Sequence, residues 1–157
     1  SRSPGLMALY RIGIDPGCSG AAVVLKDGQP DAWLNMPLIK VGTNTRVNGA
    51  ALASFLRPFP GAPVFLELVH IMPKQGASSA FTFGHSAGVI QGIVQGLGHP
   101  LTMVTPQKWK KAAGLIGTEK DRARSTAVLL WPSWRELDAK TKGGALADAA
   151  LIGRYGD

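Results

Sequence analysis

Apolar residues alternate with small or polar ones over Tyr10-Arg11-Ile12-Gly13-Ile14-Asp15, and the pattern stops at once in Pro16-Gly17 and Ser19-Gly20. A period of two predicts a strand, and Pro-Gly marks its end. One carboxylate, Asp15, is thus delivered to the edge of a sheet. Gly13 and Gly17 leave the backbone beside it uncrowded, as a close-approaching ligand requires. Residues 21–26 predict a second strand, Asp27-Gly28 a hairpin turn, and residues 32–36 a third strand running back antiparallel. Residues 42–48 are polar and predict a loop. Leu52, Phe55 and Leu56 have helical spacing within 50–56, closed by Pro58 and Pro60. Residues 63–69 are almost continuously apolar, the pattern of a strand buried on both faces. Glu67 is the only charge in that run.

The second half predicts helices around one more strand. Residues 72–79 form a loop, with Ser78 or Ser79 expected to cap the following helix. Within that helix Gly84, Gly88, Gly92 and Gly96 recur every fourth residue. Each glycine costs a helix about 1 kcal/mol relative to alanine, so the stripe needs a compensating gain. Close approach of the sheet or of a partner subunit would supply it, and the pattern does not choose between them. Residues 101–104 predict a fifth strand. Pro106 opens a short helix over 107–113, Thr118 is placed to cap a helix running to Leu130, and a last helix over 145–155 carries Asp148. The expected architecture is α/β: a mixed five-stranded sheet flanked by helices.

Length and charge narrow the function. The 157 residues suit one domain, assigned here to 10–157. Met7-Ala8 reads as a natural start, so residues 1–9 are expected to be an extension, partly added by cloning. Lys and Arg number 17 against 10 Asp and Glu, a net charge of +7, which favours a polyanionic partner such as nucleic acid. A lone cysteine, Cys18, excludes an intrachain disulfide and a cysteine-based metal cage. No membrane span or signal peptide is visible.

Seven of the ten acids fall in turns, helix starts or polar segments, but Asp15, Glu67 and Asp148 do not. A carboxylate in an apolar strand is costly unless paired or metal-bound, and for Glu67 a buried salt bridge is the plainer alternative. If the first and fourth strands are neighbours and the last helix lies against them, the three acids converge. Hard oxygens without His or Cys suit Mg²⁺ or Mn²⁺. Two such ions about 4 Å apart activate water and stabilise the leaving oxygen in phosphodiester hydrolysis.

Five segments together resemble the RuvC Holliday junction resolvases, most closely the phage-encoded and chloroplast branches. They are I-G-I-D-P-G-x-S-G-A, F-L-E-L-V-H, K-Q-G-A-S-S-A-F-T-F-G, T-P-Q-K-W-K-K and A-D-A-A-L-I, in order from Ile12 to about Tyr155. The resemblance implies an RNase H-like fold, a homodimer, and metal-dependent paired nicking of four-way DNA junctions. It implies that Asp15, Glu67 and Asp148 hold two metal ions and that Lys110 and Lys120 stand near the scissile phosphate, where they would offset developing charge. Each lysine is otherwise an ordinary solvated base.

The family's junction-contacting loop corresponds to residues 70–79. His70 takes the place of a stacking aromatic, or else is a plain surface histidine. Lys74 and Gln75 are candidates for base or phosphate contacts, and Ser78, Ser79, Lys108 and Lys111 complete the expected DNA-binding set. Phe81 and Phe83 are expected in the core. The implied location is a bacterial host's cytoplasm, with the chloroplast stroma as the alternative.

One position departs from the family. A fourth ligand, Asp or His, usually precedes the last acid by three or four residues, and here those places are Ala145 and Gly144. That keeps open a junction-binding protein with impaired catalysis. An RNase H-like nuclease acting on another branched or hybrid substrate is a further alternative, because fold does not fix substrate. D-P-G-x-S-G also resembles the phosphate loop of actin/hexokinase-like phosphotransferases, but those need two such domains, which 157 residues do not supply.

Overall fold

A computed structural model describes residues 8–68, 70 and 72–157. The extension expected at 1–9 therefore lies largely outside the described residues. Five strands form the main sheet: β1 (Tyr10–Asp15), β2 (Ala21–Lys26), β3 (Gln29–Asn35), β6 (Val64–Glu67) and β7 (Leu101–Val104), in the order β3-β2-β1-β6-β7. The first three run antiparallel, while β6 lies parallel to β1 and β7 parallel to β6. This is the mixed sheet the sequence predicts. Asp27 and Gly28, with φ of 51° and 82°, make the β2–β3 turn, the left-handed pair that a tight two-residue hairpin demands.

The polar stretch after β3 departs from expectation. In place of a loop over 42–48 it supplies the turn at Gly42, with φ of 63°, and β5 (Asn44–Val47), which pairs with β4 (Leu38–Val41) in a separate hairpin. Exposed β-branched residues such as Ile39 and Val41 supply its strand preference.

Among the described residues five α-helices flank the sheet, α1 (Gly49–Leu56), α2 (Ala77–Gly96), α3 (Pro106–Ala112), α4 (Arg122–Leu130) and α5 (Lys140–Tyr155), with a 3₁₀ turn at Arg135–Asp138. Asn48 caps α1 by accepting the Ala51 N–H at 3.1 Å, and Thr105 caps α3 by accepting the Lys108 N–H at 3.2 Å. Two expected caps are corrected. Gly76, not Ser78 or Ser79, precedes α2, and Asp121 precedes α4 while the Thr118 hydroxyl donates to the Leu115 carbonyl at 2.7 Å.

The strand period of two divides the core. Ile12, Ile14, Ala22, Val24, Val64 and Leu66 face α1 and α2, where Leu52, Leu56, Ile90 and Val94 meet them. Val23, Leu25 and Phe65 face the opposite layer, built on α5 with Trp109, Trp131 and Trp134. Parity therefore turns Asp15 and Glu67 to the α5 side, since Ile14 and Leu66 point away from it.

Gly13 lies on that side too, and its role differs from the expected ligand approach. A Cβ at Gly13 would fall on the Ala149 carbonyl oxygen, and one at Gly153 would come within 3.0 Å of the Gly13 nitrogen. The missing side chains let α5 lie directly on β1. The glycine stripe of α2 is different again. Nothing lies within 4 Å of a Cβ added at Gly84, Gly88, Gly92 or Gly96, so the stripe does not serve packing on the sheet. Phe81 and Phe83, expected in the core, are also exposed, at 63% and 45%. They occupy the first turns of α2, where Phe83 faces the Gly17 turn at the mouth of the cleft.

Gly13→Ala is expected to destabilise the fold by about 3 kcal/mol or more, because backbone rather than a flexible side chain must yield. Gly144→Ala, inside α5 with open space around it, is expected to stabilise by up to about 1 kcal/mol through helix propensity. Denaturant unfolding of the two variants checks both signs.

Candidate active site

The register of the parallel strands sets the first two acids side by side. Ile14 pairs with Leu66 across β1 and β6, so the next residues, Asp15 and Glu67, end adjacent strands on one face. The carboxyl ends of parallel strands are where open α/β sheets place their ligands. The third acid comes from the opposite layer. Asp148 precedes Ala149, the residue whose carbonyl sits on Gly13, and this contact carries Asp148 toward Asp15.

The three acids sense one another. Burial pushes the Asp15 carboxyl well above its ordinary value, and the charges of Asp148 and Glu67 push it further. Asp148 is raised to about 6, first by burial and then by Glu67. Glu67 is raised by burial too, with the Trp109 hydrogen bond and the Lys110 charge opposing. Among the described residues no hydrogen bond or ion pair reaches the Asp15 or Asp148 carboxylate; the ion pairs there are Arg11–Asp157, Arg124–Asp121 and Arg135–Asp138. The buried salt bridge weighed for Glu67 does not form among them. Its partner is neutral: the buried Trp109 indole N–H donates to Oε2 at 2.7 Å.

Desolvated acids without a cationic partner are what a divalent cation would satisfy. The donors are hard oxygens, the type that Mg²⁺ and Mn²⁺ prefer. Among the described residues, no three acidic, His or Cys side chains stand close enough to form a ready-made cage. It is the chemistry of the donors, and not a preassembled geometry, that suits such a cation. Gly144 and Ala145, the places of the absent fourth ligand, line the same cleft as Asp15 and Asp148.

That cleft is open and has a volume of about 1180 Å³, above the usual 300–1,000 Å³ of a small-molecule pocket. The β1 turn, the start of α2 and the start of α5 wall it, and Lys120, Arg124 and Lys140 add cations. Glu67 and Lys110 are not among its walls. Even so, the charges of Lys110 and Lys120 both act on Asp15 and Asp148, lowering what burial raises.

The expected DNA-binding residues divide. Ser78 and Ser79 line the cleft, and His70 and Lys74 are exposed in the loop before α2. Gln75 is engaged locally, accepting the Met72 N–H at 3.1 Å and donating to the Ser79 hydroxyl at 3.1 Å. Lys74 has φ of 67°, a left-handed backbone that holds this loop tight. Lys111 is exposed on α3. Lys108 lies near Asp157, whose carboxylate is bound by Arg11 at the far end of β1 from Asp15. Sequence reasoning did not single out Arg124, Lys140 or the Trp109 contact. Basic residues on helices carry no periodic signal that separates a cleft from open surface, and a tryptophan's hydrogen-bond partner is set by tertiary packing.

With metal absent, Asp148 binds its proton more tightly folded than unfolded. Its penalty is absent below the ordinary carboxylate value near 3.8, grows as pH rises through about 6, and is full above that. Asp148→Asn is therefore expected to stabilise the metal-free protein near pH 8 by on the order of 2 kcal/mol, with the gain vanishing near pH 4. Thermal denaturation with and without Mg²⁺ checks this, and Mg²⁺ is expected to narrow the gap by stabilising the unaltered protein more.

No family model matches the chain. Over 125 residues it is 32% identical to the chloroplastic Holliday junction resolvase MOC1 of Chlamydomonas reinhardtii, an alignment covering 75% of this chain and 14% of that protein. The chain thus spans a small part of that curated relative's length. Among solved structures it is similar to Thermus thermophilus RuvC in complex with a Holliday junction substrate, with a TM-score of 0.62, 16% identity, and coverage of 94% of this chain and 93% of that one. Another T. thermophilus RuvC structure gives a TM-score of 0.56 at 16% identity, covering 94% and 91%. The chain has the RuvC fold, an RNase H-like mixed sheet with flanking helices, and most of its length resembles a chloroplast Holliday junction resolvase in sequence.

Proposed function

We propose that this chain is a metal-dependent endonuclease of the RuvC type that resolves four-way DNA junctions by paired nicks. The observation that supports the reading is that Asp15, Glu67 and Asp148, desolvated and without an ion-pair partner, lie within electrostatic reach of one another beside a wide cleft and under the field of two lysines. The relatives' substrates and the excess of positive charge support a DNA junction over a small molecule.

In this reading the three carboxylates hold two Mg²⁺ or Mn²⁺ ions, which when bound supply a nucleophilic water and Lewis acidity at phosphorus. The chain's own residues do the rest. Lys110 and Lys120 stand where their charge offsets the negative charge gathering on the phosphoryl oxygens. Lys140 lines the cleft and suits a backbone phosphate, whereas Arg124 is held bidentately by Asp121 and by the Leu137 carbonyl, and Lys108, drawn toward Asp157, is the weakest of the expected DNA contacts. His70 and Lys74, exposed before α2, are left to meet the junction. The chloroplast origin of the relative lends weight to the stroma as location over a phage host's cytoplasm. Among the described residues no helix is long and apolar enough to cross a membrane.

Resolution by paired nicks needs two sites, and the solvent-facing glycine stripe of α2 favours a homodimer built on that helix. Close helix approach would offset the stripe's propensity cost. Gly88→Leu is expected to shift the protein toward monomer, read by light scattering, and to leave the monomer folded because the position opens onto space.

Cleavage of a mobile junction, beside linear duplex and RNA–DNA hybrid, tests the activity. Paired nicks in the junction alone are expected, lost in Asp15→Asn and lowered about 10²-fold in Lys120→Ala. Equal cutting of the hybrid would overturn the substrate. A second reading, junction binding with impaired catalysis, is favoured by one observation, the Gly144-Ala145 pair where a ligand is expected. Tight binding without nicks, with cutting gained in Ala145→Asp, would establish it instead.

A further inference from the structure

Glu67 differs from the other two acids in having a fixed partner. Its Oε2 accepts the Trp109 indole N–H at 2.7 Å, and Trp109 is 1% exposed. The indole has only one donor and no acceptor, so this bond fixes the orientation of the carboxylate and leaves Oε1 wholly free to meet a cation. Trp109 is itself held from both sides. It lies on α3, whose entry is set by the Thr105 cap and Pro106, and it packs in the layer built on α5. The next residue, Lys110, places its ammonium 5.6 Å from the centre of the Trp109 ring, within cation–π range. A single buried side chain therefore touches both an expected metal ligand and an expected phosphate-facing cation.

We infer that Trp109 is a positioning residue of the metal site, orienting Glu67 through its indole N–H and seating Lys110 on its ring. The inference rests on the proposed reading of Asp15, Glu67 and Asp148 as the metal-holding set. Partners of metal-ligating carboxylates fix ligand orientation, and their loss typically lowers metal affinity 10- to 100-fold. Phenylalanine keeps a ring at the site and removes the donor.

Mn²⁺ binding by calorimetry to the unaltered protein, Trp109→Phe, Glu67→Gln and the double variant provides the test. Affinity is expected to fall about 10- to 100-fold in Trp109→Phe, and the double variant is expected to bind no more weakly than Glu67→Gln alone, because the indole acts through that carboxylate. Unchanged affinity in Trp109→Phe, or losses that add in the double variant, would overturn the inference while leaving the metal reading intact. Unchanged affinity in Glu67→Gln would instead overturn the metal reading itself. Because Trp109→Phe risks a packing defect, Mg²⁺ titration of the unaltered protein by ¹⁵N–¹H spectroscopy of the indoles gives an independent answer. The indole resonance that moves in Glu67→Gln is expected to move with Mg²⁺ and to saturate as Mg²⁺ binding by calorimetry does. An indole that ignores Mg²⁺ would refute the inference without recourse to a variant.

Discussion

The close seating of α5 on β1 is the contact on which the rest of the site depends. Two glycines that face each other, Gly13 and Gly153, remove the side chains that would hold the layers apart. Helices normally pack at a distance set by interposed side chains, and here one backbone comes to rest on another. The consequence reaches beyond packing. Asp148 sits one residue before the contact at Ala149, so the depth at which the helix sits decides whether the third carboxylate faces the first two. A side chain at Gly13 would disturb the core and the chemistry through the same displacement.

The site so assembled is electrostatically frustrated. Three acids are desolvated, two at the ends of strands and one midway along a helix, and the charge of Glu67 raises the proton affinity of both Asp15 and Asp148. Lys110 and Lys120 act on them from a distance without forming an ion pair. Direct pairing would quench the site, since a carboxylate bound to an ammonium has little left for a cation. Distance keeps the field and leaves the carboxylates uncommitted. Local conflict of this kind, tolerated inside a fold consistent everywhere else, is what functional sites are expected to look like.

The three acids were legible in the sequence because each breaks a pattern that the neighbouring residues establish. Asp15 ends an alternation, Glu67 interrupts an apolar run, and Asp148 sits in an alanine-rich helix. The five sheet strands were legible for the same reason, from periodicity and turn chemistry. What failed was decided by tertiary context. The β4–β5 hairpin hides in a stretch whose polarity suggests a loop, because two exposed strands need little hydrophobic alternation. Gly13 was read as room for a ligand when the visitor is α5, a partner 140 residues away that no local pattern announces. Phe81 and Phe83 look like core by composition, and only the tertiary placement of the first turns of α2 leaves them exposed.

The two glycine sets settle what a small residue means here. At Gly13 and Gly153 the neighbour is present, and the absence of a Cβ is explained within the chain. Along α2 four glycines on one stripe have no neighbour at all. Their propensity cost, about 1 kcal/mol each, is not offset by any contact in the folded protomer. Exposed Phe81 and Phe83 extend the same helix toward the loop before it, so the uncompensated surface runs from the glycines to the cleft, which Phe83 also lines. A partner helix seated there would repair the cost and would set a second cleft at a fixed distance from the first. In the proposed reading, sites related in that way would act on two strands as a pair, and the helix stretch with the poorest intrinsic propensity would give the assembly its geometry.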